Sequence, residues 1–211
     1  ADWAPRPLRA KTTLQALAMD TVQAYHHSMS HLRSAQRDAL YSDHFKRELG
    51  GYSSIEVFRN AAGHAGTDDP LALIQYIDYK TWLVGDINTK VDRASMAHSL
   101  EVREPLMDHE LVEWLATLPS HHKIDGGEGK ALLKRAMEPL LPNDVLYRPK
   151  MGFSVPLASW LRGPLAERVR EVVTGPRLLD TGLFQPDELR KLLDQHQAGT
   201  SDHATPLWML V

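Results

Sequence analysis

The 211-residue sequence contains no cysteine. That excludes disulfides, thiolate metal sites and cysteine nucleophiles within it, and is compatible with a reducing cytoplasm. No apolar run approaches the roughly 20 residues of a membrane span, and no charged-then-apolar segment opens the chain, so neither a transmembrane helix nor a signal peptide is expected. An excess of one charge is also lacking. Lys and Arg number 24 against 27 Asp and Glu, a formal net charge of -3, so no electrostatic footprint for nucleic acid is visible. Convincing alternating strands, internal repeats and low-complexity tracts are absent as well. What is present is the balance of a globular chain, with 43% hydrophobic and 24% charged residues. The length suits one large domain or two small ones and allows a substantial core.

The periodic segments read as helices almost throughout, which predicts an all-α fold. Leu14, Leu17, Ala18, Val22, Tyr25 and Met29 recur at three-to-four spacing after the capping residues Thr12-Thr13. Asp43 opens a short helix that Gly50-Gly51 ends, and Ser53 or Ser54 caps another. Asp68-Asp69-Pro70 is a strong helix start, and the apolar run through Ile74, Ile77 and Trp82 predicts a central, buried helix. Gly85-Asp86 is expected to break it before a second helix carrying Ile87, Val91 and Ala94. Asp108 caps the next, and Gly126-Gly127 precede one from about Glu128 to Glu138. Residues 143–156 form a long non-periodic stretch, followed by helices around Trp160 and Val169 and one that Pro186 starts and Gly199 stops. Trp82, Trp114 and Trp160 sit in apolar stripes and are expected in the core.

Two segments could carry chemistry. In the loop Tyr147-Arg148-Pro149-Lys150-Met151-Gly152-Phe153, two cations stand within three residues, Pro149 stiffens their separation and Gly152 permits a close ligand approach. A lysine there can serve as a compact charge for phosphate; the loop can equally be a surface turn with solvated cations. In the second segment, Lys90 to Arg103, Asp92 and Arg93 lie on adjacent sides of a helix, and Glu101 and Arg103 alternate on an extended run and so point the same way. This suits a site rim, or an ion-pair network joining two helices. Gly126-Gly127-Glu128-Gly129-Lys130-Ala131 lacks the residues and the preceding strand of a phosphate loop. His26, His27 and His31 lack a carboxylate or cysteine to complete a metal site and read as a solvated helix face.

The run from Asp86 to Asp108, Asp-Ile-Asn-Thr-Lys-Val-Asp-Arg-Ala-Ser-Met-Ala-His-Ser-Leu-Glu-Val-Arg-Glu-Pro-Leu-Met-Asp, closely resembles the long signature of asparagine synthetase synthase domains. Gly127-Glu128-Gly129-Lys130, Leu132 to Ala136, Leu141-Pro142 and Tyr147 to Phe153 continue it in that family's order. The N-terminal segment and the ending around Asp194-Gln195-His196-Gln197 resemble the exosortase-associated amidotransferase branch. On this resemblance the chain divides into an N-terminal helical segment, residues 1–66, a signature region, 67–165, and C-terminal helices, 166–211. The opening Ala1-Asp2-Trp3-Ala4-Pro5, without an initiator methionine, and the apolar ending at Val211 read as internal boundaries.

The resemblance implies the helical C-terminal part of an adenine-nucleotide α-hydrolase-like synthase domain. Its parallel sheet, its Ser-Gly-Gly-x-Asp-Ser pyrophosphate loop and a glutaminase domain with a cysteine nucleophile would lie upstream in the same parent chain. The implied reaction activates a carboxylate with ATP, and ammonia from glutamine attacks the acyl-adenylate. Lys150 matches the lysine that neutralises the ATP phosphates and departing pyrophosphate, and Arg93 falls at a cationic position facing the same site. Glu101 and Arg103 match residues shaping the substrate side, with Asp92 beside them, while Asn88 and Glu104 depart from the relatives' small or apolar residues. The implied cofactor is ATP with Mg in the parent, with none bound tightly by this chain and no metal site of its own. The implied partners are the upstream segments, with neither nucleic acid nor membrane, a homo-oligomer being possible; the implied location is cytoplasmic. The alternative is a helical interaction module that shares the scaffold without catalysis.

Overall fold

The computed structural model describes residues 17–149, 152 and 155–211, so the Thr12-Thr13 cap and Lys150 lie outside the described residues. The first helix lying wholly within the described residues, α1 (Thr21–Met29), starts at Asp20, whose carboxylate accepts the Gln23 N–H at 2.8 Å. Next comes α2 (Ser34–Leu40), whose apolar periodicity is too short to read from the sequence; Gln36 reaches back to the Arg33 N–H at its start. In α3 (Asp43–Leu49) the cap is Ser42, one residue before the expected start, and Gly50 ends the helix in the left-handed region. α4 (Ile55–Ala62) follows.

Asp69 opens α5 (Pro70–Lys80) as the Asp-Pro pair predicts. Its Oδ1 accepts the Ala72 N–H at 2.8 Å and the Ser120 hydroxyl at 2.6 Å, and these bonds hold its pKa below the ordinary carboxylate value. Gly85-Asp86 does not break the chain. Leu83–Asn88 forms a widened π-turn that runs straight into α6 (Thr89–Met96), and the Thr89 hydroxyl donates to the Val84 carbonyl five residues back. Glycine lowers helix stability by only about 1 kcal/mol, and an extra residue in one turn absorbs the mismatch without a break. A Schellman closure ends α6: Ser99 adopts φ 57° while the Leu100 N–H bonds the Ser95 carbonyl at 3.0 Å.

A 3-10 turn at Pro105–Met107 leads into α7 (His109–Thr117), which Asp108 caps as expected, and α8 (Ser120–Lys123). The predicted helix from Glu128 starts later. Ile124–Asp125 (β1) and Glu128–Gly129 (β2) form a small antiparallel hairpin first, because Gly126 and Gly127 at φ 58° and 87° supply the turn that matches strand twist. α9 (Ala131–Met137) then follows, and α10 (Asn143–Leu146) gives one helical turn to the stretch without periodicity. The last helices are α11 (Leu157–Arg162), α12 (Ala166–Thr174), α13 (Pro176–Leu179), α14 (Pro186–Gln197) and α15 (Ala204–Leu210). Gly175 lets α12 turn into α13, since a Cβ there would lie 2.4 Å from the Glu171 carbonyl oxygen. Apart from the hairpin, the described elements are helical, as the periodicity predicts.

The chain forms two compact units, one from residues up to Glu56 together with Phe153–Val211, the other Val57–Gly152. The first has a conventional core. Leu40, Leu161, Val169, Val173, Leu189, Leu193 and Leu207 are buried together, with α11, α12, α14 and α15 supplying most of them. The N-terminal helices are tied to this core by Gln185 N–H to the Leu40 carbonyl at 2.8 Å and Ser42 N–H to the Leu183 carbonyl at 2.9 Å. Arg162 Nε donates to the His196 carbonyl and Gln197 Nε2 to the Leu161 carbonyl, both at 2.7 Å, which locks α11 onto α14.

In the second unit, Ile77 and Ala131 are the buried residues among those described. The helix expected to be central, α5, is therefore only half-buried apart from Ile77. Trp82 and Trp114, and Trp160 in the first unit, stand 41%, 53% and 40% exposed rather than in the core. An apolar stripe specifies a face to be covered, and periodicity alone does not say by what.

The first unit also buries histidine. His196 is fully buried; its Nδ1 accepts the His203 N–H at 3.1 Å, which assigns the ring proton to Nε2. Burial and then the Arg162 guanidinium lower its pKa, against the Asp202 carboxylate and the Ala158 carbonyl, which raise it. Burial likewise lowers His203 and His26, and His26 is not the solvated residue expected but is hydrogen-bonded to Ser54 at 2.9 Å. A histidine with its folded pKa below the ordinary value of about 6.5 binds its proton more readily when unfolded. Its contribution is thus complete above about pH 6.5 and is lost as pH falls from there toward the folded value. Amide exchange in α14 is expected to quicken as pH falls below about 6.5, after correction for intrinsic rates. A pH-independent opening free energy would contradict this.

Candidate functional site

The segment from Asn88 to Met107 builds a cleft of about 420 Å³ in the second unit. The π-turn delivers Asn88, α6 contributes Asp92, Ser95 and Met96, and the Ser99 closure turns the chain back as an extended run presenting Glu101, Val102, Arg103 and Glu104. A β-branched or bulky residue at φ 57° would be strained; serine bears this conformation at a modest cost.

Glu101 and Arg103 meet as the alternation predicts. Arg103 Nε donates to Glu101 Oε1 at 2.6 Å, and Nη2 lies 2.5 Å from the same oxygen. Both side chains are largely exposed, so this pair sets orientation more than stability. Asp92 also lines the cleft. Arg93 does not; its side chain is largely exposed and lies 3.9 Å from the Asp92 carboxylate. The rim thus carries Asp92, Glu101 and Glu104 against Arg103, whose guanidinium is already paired. Such a rim favours a group that is cationic or rich in hydrogen-bond donors, not a triphosphate. Asn88 Oδ1 is buried without a partner among the described residues and adds an acceptor there.

The stretch leading to Lys150 has its own anchoring, which sequence reading missed. Tyr147 donates its hydroxyl to Glu138 at 2.5 Å, and Lys134 Nζ lies 5.3 Å from the centre of the Tyr147 ring. Lys134 is in turn paired with Glu128 of the hairpin, and Arg135 with Asp125. Lys134 and Glu138 stand four apart, a spacing legible in the sequence, but nothing in the spacing names Tyr147 as the partner. Among the described residues no three His, Asp or Glu side chains converge into a group that could hold a metal, so no ligand of this chain is assigned to magnesium. No described helix is long and apolar enough to cross a membrane.

The chain belongs to the asparagine synthase family, which it matches over residues 2–211. A Mycobacterium bovis protein assigned to the glutamine-hydrolysing asparagine synthetases is 42% identical over 144 residues, 68% of this chain and 22% of its own length. The glutamine-hydrolysing asparagine synthetase 1 of Bacillus subtilis is 34% identical over 138 residues, 65% of this chain and 22% of its own. That of Gallus gallus is 29% identical over 136 residues, 57% and 24% respectively. The chain therefore spans less than a quarter of the length of these relatives. No solved structure matches it.

Proposed function

We propose that this chain is the helical wall of the synthase domain in a glutamine-dependent, ATP-consuming amidotransferase. The parent reaction joins a carboxylate to the α-phosphate of ATP, giving an acyl-adenylate and pyrophosphate. Ammonia from glutamine then displaces AMP and forms the amide. In this reading the cleft of Asp92, Glu101 and Arg103 shapes the substrate side, its acidic rim toward a cationic or hydrogen-bond-donating part of the carboxylate substrate, and Lys150 meets the phosphates, with Arg93, outside the cleft, as a second cation toward them. Magnesium would travel with ATP and supply charge neutralisation there. The exosortase-associated branch is the subfamily we favour, although Gln195, His196 and Gln197 of its ending are used here in packing and hydrogen bonds. A cytoplasmic location and the division into segments 1–66, 67–165 and 166–211 accompany the reading.

The observation that carries it is the match to the family over residues 2–211 by a chain that spans 22% of the length of such relatives and whose second unit buries only Ile77 and Ala131 among its described residues. Leu100, Leu106 and Leu140 of that unit are 60%, 63% and 72% exposed, a surface that suits docking of the parent's sheet and, in isolation, self-association. The full parent is expected to release one pyrophosphate for each glutamine consumed in the presence of its carboxylate substrate. The isolated 211-residue chain is expected to hydrolyse no glutamine, having no cysteine, and to release no pyrophosphate. Robust pyrophosphate release by the isolated chain would place the phosphate site within these residues and overturn the division of labour.

A further inference from the structure

The cleft framed by the π-turn, α6 and the extended run encloses about 420 Å³, and its charges do not balance. Val91, Met96, Val102 and Met107 give it an apolar lining, which suits the carbon body of an organic molecule. Around that lining stand three carboxylates, Asp92, Glu101 and Glu104, against one cation, Arg103. The cation is already engaged. Nε and Nη2 of Arg103 both reach Oε1 of Glu101, at 2.6 and 2.5 Å, and these two nitrogens form a fork with which arginine grips a carboxylate. A second anion brought to the open edge of the guanidinium would meet Glu101 beside it and Glu104 next in the chain, and like charges at that range repel. Asp92 is paired loosely, with Arg93 at 3.9 Å outside the cleft lining. Glu104 has no ion-pair partner among the described residues.

We infer that the acid activated by the parent carries a cationic group at the end away from its reacting carboxylate, and that Glu104 is the residue that selects it. The inference rests on the reading in which this cleft shapes the substrate side. The substrate class is then an amine-bearing monocarboxylic acid. A dicarboxylate such as aspartate is disfavoured, because its second carboxylate finds no free cation in the cleft. An ammonium entering the cleft offsets part of the surplus negative charge and donates to an unpaired carboxylate. Glu104 is exposed in the empty cleft, where water screens it; a bound molecule that covers it strengthens the attraction. Selection therefore has two parts, attraction of an ammonium and repulsion of a carboxylate, and one side chain contributes to both.

The test uses the full-length parent with ATP and glutamine, and measures pyrophosphate release with γ-aminobutyrate, pentanoate and glutarate. These acids have the same carbon spacing and differ at the far end, which is an ammonium, a methyl or a carboxylate; aspartate is the fourth probe. The kcat/KM for γ-aminobutyrate is expected to exceed that for pentanoate roughly tenfold, with glutarate and aspartate below pentanoate. Glu104→Gln keeps the size and removes the charge, and is expected to narrow the γ-aminobutyrate to pentanoate ratio roughly three- to tenfold. Glu104→Lys is expected to reverse the order of γ-aminobutyrate and glutarate. A structural role for Glu104 would lower the values for all four acids by one factor and leave their ratios intact, which overturns the assignment of that residue. Glutarate or aspartate used as well as γ-aminobutyrate by the unaltered parent overturns the substrate class, whatever the variants do. That outcome leaves the proposed reaction standing. Pyrophosphate release with none of the four acids would remove the proposed reaction and this inference together.

Discussion

Lys150→Ala in the full-length parent is expected to lower the synthetase rate roughly 10²–10³-fold, about 2.7–4 kcal/mol of transition-state stabilisation. As the bond to the leaving pyrophosphate breaks, negative charge gathers on the bridging oxygen. An ammonium set against the phosphates, as the proposed function has it, stabilises that developing charge more than it stabilises bound ATP, so the loss is expected on turnover and not on binding alone. Lys150→Arg is expected to restore only part of the rate, since a planar guanidinium replaces a compact point charge. Arg148→Ala is expected to be milder, its exposed side chain serving the loop more than the phosphates. Pyrophosphate release measured with glutamine hydrolysis as internal reference checks all three. Full synthetase activity in Lys150→Ala would return the loop to a surface turn with solvated cations.

The second large effect concerns stability. Leu193→Ala is expected to destabilise the first unit by about 2–5 kcal/mol. Leu193 is fully buried in α14, among Leu161, Val169, Val173 and Leu207, so truncation removes apolar contacts and leaves a cavity that helices fixed by the Arg162 and Gln197 hydrogen bonds cannot readily close. The matched control is Leu140→Ala in the second unit, where the side chain is 72% exposed and the cost is expected within about 0.5 kcal/mol. Urea unfolding of the purified chain checks the pair. Equal midpoint shifts for the two substitutions would show that the buried cluster is not what holds the first unit together.

Much of the local structure was legible because it depends on neighbours in the chain. Asp69 with Pro70, Asp108 before His109, and Pro186 each marked a helix start that the fold contains, since a cap is a contact across two or three residues. The Glu101–Arg103 pair was legible for the same reason, two residues apart on an extended run. Where two local preferences compete, the reading failed. Gly85 could have ended a helix or been carried in a wider turn, and Gly126-Gly127 could have preceded a helix or closed a hairpin. Neighbouring segments decided both.

Helical class, the absence of thiol chemistry and the ordered signature from Asp86 through the Tyr147–Gly152 loop are properties of the sequence itself, because composition, periodicity and motif order need no third dimension. Tertiary structure alone decided which stripes are covered. The same three-to-four spacing that buries Leu189 and Leu193 leaves Trp82 and Trp114 open, because burial depends on the surface opposite and not on the residue. It alone turned His26 and His196 inward, lowering their pKa, and brought Tyr147 to Glu138 across nine residues of chain. Charge, burial and hydrogen bonding are sums over whatever folds alongside, and that sum is not written in any one segment.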